Sequence, residues 1–115
     1  MWDLRLYVIQ RATAMLMVPL ILAHLVIIFY ATQTGISAEG ILSRTAGSLG
    51  WAVFYGVFVV LAAVHGAIGV RTVLREWSPL RGGLLDAIMF IFAALLIGLG
   101  ARAVVAVTMP GGLGT

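Results

Sequence analysis

The chain has 115 residues, of which 63% are hydrophobic and 10% charged, with a net charge of +3. Typical soluble domains carry roughly 25% charged residues, so this composition excludes a water-soluble domain of this size and requires a bilayer as solvent. Cysteine is absent, which excludes disulfides, thiolate metal sites and protein-ligated iron–sulfur clusters from this chain.

Residues 12–31, ATAMLMVPLILAHLVIIFYA, carry no formal charge outside His24 and are long enough to cross about 30 Å of hydrocarbon as a helix. Helix is the form required, because an unpaired backbone is intolerable in lipid. Pro19 is tolerated in such a span as a slight bend. Twenty apolar residues exceed the usual signal-peptide core, so this segment reads as a span and not a leader. Residues 32–50 hold Gly35, Gly40, Gly47 and Gly50 among serines and threonines and read as an irregular or partly helical surface loop. Residues 51–70, WAVFYGVFVVLAAVHGAIGV, form a second span, extending to 75 and interrupted only by His65. Ser78-Pro79 and Gly82-Gly83 mark a turn, residues 84–108 form a third span, and the tail MPGGLGT is expected to fray. The fold class is therefore an all-α membrane protein with three transmembrane helices in a single domain over 1–115.

All seven cationic residues are arginines, placed singly at the ends of apolar segments; that is the pattern of membrane flanks and not of a nucleic-acid patch. Arg5, Arg11, Arg71, Arg75 and Arg81 fall on one side and Arg44 and Arg102 on the other. The positive-inside rule then puts the N-terminus and the second loop in the cytoplasm or matrix, and the C-terminus outside.

An ionisable side chain at membrane depth is a functional candidate by default. His65 lies about 9 Å below Arg71 at the helical rise of 1.5 Å per residue. Ala62, Gly66 and Gly69 beside it are small residues at three- and four-residue spacing, which admit either another helix or a flat cofactor. His65 either bonds a hydroxyl or carbonyl of a neighbouring helix or serves as an axial ligand of haem iron, for which a neutral imidazole is suited. His24 lies roughly 20 Å deep, so the two histidines of one chain do not straddle one iron. As a ligand, His65 either pairs with a residue from another chain, which is favoured, or leaves the sixth position open, and His24 is expected to make a helix–helix hydrogen bond.

Arg11 and Arg71 are candidate partners for haem propionates, since guanidinium groups clamp carboxylates in pairs; plain topology charge is the alternative. Trp77, Tyr7 and Trp2 fit an interfacial aromatic belt. Tyr7 and Trp77, with Arg11 and Glu76, also supply donors and a proton carrier for a quinone head. Met15 and Met17 are potential ligands but suit packing better.

QRATA at 10–14, HGAIGVR at 65–71, REW at 75–77 and a plain third span resemble the cytochrome b anchor subunits of succinate dehydrogenase and fumarate reductase. The likeness extends over nearly the whole chain in length, span number and motif order. It implies one half of a two-chain helix bundle around haem b, beneath an iron–sulfur subunit that docks a flavoprotein. It makes His65 the axial ligand, with its counterpart on a second cytochrome b anchor, and sets Arg11 near haem propionates and quinone. An aspartate–tyrosine pair of the smaller anchor is here Glu76 and Trp77, and tryptophan donates but cannot accept a hydrogen bond. The larger anchor's serine four residues before the span-I arginine is here Tyr7. QRATA matches the smaller anchor, which is favoured, while Arg71 after Gly69 matches the larger.

The expected function is the anchor subunit of a succinate:quinone oxidoreductase in a bacterial inner membrane, with ubiquinone or menaquinone as electron acceptor. Such a chain carries no dehydrogenase chemistry of its own. A haem-free anchor of another complex and a small transporter subunit are the alternatives.

Overall fold

A computed structural model describes residues 2–35 and 37–109. These residues form α1 (Trp2–Thr34), α2 (Ala38–Thr45), α3 (Leu49–Trp77) and α4 (Gly83–Thr108). Three of them are long and apolar enough to cross a membrane, as the sequence predicts. The helices outrun the apolar segments. α1 has 33 residues and begins at Trp2, ten residues before the apolar segment does, and its first turns carry Asp3, Arg5 and Arg11. The last part of the tail, 110–115, lies outside the described residues.

α3 is the central helix, packed along α4 on one side and α1 on the other. Small residues make this closeness feasible: Ala63 and Ala67 are 1% and 2% exposed. Their methyl groups let neighbouring backbones approach, which drives helix association where lipid offers no hydrophobic gain. A small core of Leu6, Ala67, Ile68 and Met89 sits near the Arg71 end. Most other large apolar side chains face outward, Val26, Phe29 and Ile91 among them. In water such a surface would aggregate; in a bilayer it is the correct solvent contact.

The predicted loop 32–50 contains one short helix. Ser37 caps α2 by accepting a bond from the Gly40 amide at 3.0 Å. The loop then closes the end of α4: the Thr45 hydroxyl donates to the Val107 carbonyl at 2.6 Å, and the Gly47 amide donates to Thr108 O at 2.7 Å. These bonds satisfy carbonyls that a helix C-terminus leaves without partners. Ser48 caps α3 through the Trp51 amide. Pro79 follows the C-cap Ser78, and Gly82 takes φ +66° immediately before α4, which confirms the predicted turn.

Candidate functional site

His65 is half-buried on α3 and faces α1. Its Nδ1 lies 3.1 Å from the Gln10 carbonyl oxygen and 3.3 Å from Thr13 Oγ1. A carbonyl can only accept, so Nδ1 carries the proton and donates it. The Thr13 hydroxyl is directed at carbonyls of its own helix, Ile9 and Gln10, both at 2.9 Å, which leaves its lone pair toward His65. The tautomer is thereby set, and the Nε2 lone pair is free of protein hydrogen bonds among the described residues. A backbone carbonyl on one ring nitrogen is the arrangement that orients a metal-ligating imidazole and raises its basicity.

The small residues near His65 divide between two neighbours. A Cβ placed on Gly69 would lie 3.4 Å from Gln10 Nε2 of α1, and one on Gly66 would lie 3.9 Å from Leu96 Cδ1 of α4. Within this chain, helices take up the room that the sequence reserves at these two glycines.

His24 is far from His65 along the bundle. Its ring stands edge-on to Tyr55 and Phe58, with centroids 5.9 and 5.5 Å away. Phe58 precedes His65 by seven residues, about 10 Å of helix, in line with the depth separation read from the sequence. The expected helix–helix hydrogen bond is not made through Nδ1, which is buried without a partner among the described residues. Aromatic rings surround it instead.

Arg71 is buried, 8% exposed, and joins all three long helices. Its Nε donates to Asp86 Oδ1 of α4 at 2.8 Å, and its Nη1 lies 3.2 Å from Asp3 Oδ1 of α1. Trp2 Nε1 donates to the same Asp86 oxygen at 3.0 Å, and Arg75 pairs with Asp3 at 2.9 Å. The Arg75 bond, followed by the charges of both arginines, holds the Asp3 carboxylate below its ordinary range. Asp3, Asp86, Gln10 and Thr13 were not among the sequence-predicted site residues. The available signals were the QRATA motif, which contains Gln10 and Thr13, and a carboxylate at the head of a span, as Asp86 is.

Beside this clasp lies a cleft of about 410 Å³ lined by Tyr7, Gln10, Arg71, Arg75, Glu76 and Arg81, among others. It unites Tyr7, Glu76 and Arg71 of the predicted residues. Arg11 is not in its lining; its guanidinium sits 5.8 Å from the Tyr7 ring centroid, on the exposed face of α1. Trp77 is 84% exposed and stands outside the cleft. Gln10 belongs to both places: its carbonyl accepts from His65 and the residue lines the cleft.

No family model matches this chain, and neither the curated proteins nor the solved structures contain a significant match to it. Its class is therefore defined by the fold alone: a multi-pass helical membrane protein with three candidate spans among the described residues.

Proposed function

We propose that this chain is a membrane-anchor subunit of a succinate:quinone oxidoreductase, with His65 as one axial ligand of a haem b shared with a second anchor chain. The observation that carries the reading is the one-sided bonding of His65. Nδ1–H is spent on the Gln10 carbonyl and Nε2 keeps its lone pair, the state an imidazole needs to ligate iron. A haem bound there supplies one-electron storage. Arg11, exposed at the start of the first span, is the freer guanidinium for a propionate. Arg71, committed through Nε and Nη1 to aspartates, retains Nη2 for that role.

The cleft at the arginine-rich end serves as the quinone slot in this reading. The Tyr7 hydroxyl and the Arg75 and Arg81 guanidinium groups offer donors to quinone carbonyls, and Glu76, exposed at the rim, exchanges protons with water. Trp77 acts as an interfacial ring here. The iron–sulfur subunit docks against the basic 71–81 segment on the cytoplasmic side and carries the flavoprotein, and the quinone is ubiquinone or menaquinone. The setting is a bacterial inner membrane with the C-terminus periplasmic.

The test is purification of the tagged chain from its native membrane, with identification of the chains that accompany it and a reduced-minus-oxidised spectrum. A b-type band is expected, present in Thr13→Val and lost in His65→Ala. No band would leave a haem-free anchor, and a band unchanged in His65→Ala would eliminate His65 as its ligand. Accompanying chains without flavin- or cluster-binding sequences would remove the oxidoreductase assignment.

A further inference from the structure

A second cavity, of about 370 Å³, lies at the opposite end of the bundle from the Arg71 clasp. It runs lengthwise between α1, α3 and α4. His24 and Ala31 mark its extent on α1, and Trp51 and Val59 on α3, spans of about 10 and 12 Å at the helical rise. A slot of this direction lies parallel to lipid chains. Its walls are mostly apolar, with His24 at the deep end, Tyr55 on α3, and Arg44 at the end closed by α2.

Arg44 makes no ion pair among the described residues; its guanidinium lies 5.8 Å from the Tyr30 ring centroid. The Thr45 hydroxyl nearby is already committed to the Ile41 and Val107 carbonyls. At the deep end, His24 lines the slot, with its Nδ1 buried and without a partner among the described residues. The permanently charged group of the lining is Arg44, at the depth where α2 caps the bundle. A positively charged mouth over an apolar slot is complementary to an amphiphile with an anionic head and a hydrocarbon tail.

We propose that this slot holds one acyl chain of an anionic phospholipid, with the lipid phosphate on the Arg44 guanidinium. A free fatty acid presents the same chemistry, and the experiment separates the two. The inference does not rest on haem or quinone; a spectrum without a b-type band leaves it intact.

Trp51 lines the slot and reports occupancy. The full chain carrying Trp2→Phe and Trp77→Phe, with helix content checked by circular dichroism, is reconstituted into phosphatidylcholine vesicles. Its fluorescence is then titrated with phosphatidylglycerol or phosphatidylcholine brominated on the acyl chains. Quenching is expected at about tenfold lower mole fraction of phosphatidylglycerol, the scale of one charge-assisted contact. Arg44→Gln should level the two lipids, and Ala103→Phe, which fills the slot, should weaken quenching by both. Equal quenching in the parent chain, or a preference that survives Arg44→Gln, would overturn the proposal. So would quenching by brominated oleic acid that unlabelled phosphatidylglycerol does not displace, which assigns the slot to a fatty acid. Displacement of the brominated lipid by a short-chain quinone but not by unlabelled phosphatidylglycerol would assign it to quinone.

Discussion

Replacing Asp86 by alanine removes the acceptor that Arg71 Nε and Trp2 Nε1 share, at 2.8 and 3.0 Å. The guanidinium that loses its partner is only 8% exposed, so water cannot fully take over. A hydrogen bond to a charged group contributes about 1.5–3 kcal/mol. The Asp86 side chain is 31% exposed, which screens the pair and places the expected loss in the lower half, about 1.5–2 kcal/mol. That is roughly a 10- to 30-fold shift in the unfolding equilibrium. The assay is titration of the purified chain with sodium dodecyl sulfate in mixed micelles, followed by tryptophan fluorescence, since Trp2 stacks on Phe90 with centroids 6.4 Å apart. A double-mutant cycle with Arg71→Gln isolates the pair, and a coupling of about 1 kcal/mol or more is expected. Coupling within about 0.3 kcal/mol of zero would refute the view that this contact holds α3 to α4.

Other substitutions bear on the packing, the turn and the cap. Gly100→Ala should destabilise by about 1–3 kcal/mol, because a Cβ there overlaps Val59 Cγ1 and comes within 2.9 Å of Cγ2 and 3.2 Å of Cβ; an unchanged midpoint in the same detergent titration would contradict the close approach of α3 and α4. Gly66→Ala, whose nearest neighbour would be at 3.9 Å, should be neutral or stabilising by up to about 1 kcal/mol through helix propensity. Gly82→Ala forces a Cβ onto a backbone at φ +66° and ψ −135°, outside the left-handed helical region, and should lower stability by about 1–3 kcal/mol. Thr45→Val strands the Val107 carbonyl and should speed amide exchange at the end of α4, read by mass spectrometry, while leaving exchange at Arg71 unchanged.

The spans were legible because apolar length alone specifies a membrane helix. The turn at 78–83 was legible from Ser78-Pro79 and Gly82-Gly83. The full reach of α1 was not: its polar opening WDLRLYVIQR reads as flank charge, and only contacts made across helices, Leu6 in the core and Asp3 on Arg71, explain why it stays helical. His65 stood out as an ionisable group at depth, but its partners Gln10 and Thr13 lie more than fifty positions away. No periodicity connects them. Arg71 and Trp2 read separately as topology charge and belt aromatic, whereas a shared Asp86 oxygen makes them parts of one clasp. Arg44 counted only as an arginine of the opposite face; the cavity beside it is lined from four helices, a juxtaposition that one-dimensional hydropathy does not record.

The closing of α4 by the 45–47 segment makes the two connecting loops unequal as sites for added sequence. An epitope inserted between Gly47 and Ser48 would pull the Gly47 amide off Thr108 O and loosen a helix end more than fifty positions away. An insertion between Leu80 and Arg81 would break no hydrogen bond to a distant helix, only bonds of its own turn such as Arg81 Nη1 on the Ser78 carbonyl, although it would move Arg81 in the cleft lining. Tags meant to report which side of the bilayer a loop faces are best carried at the second place.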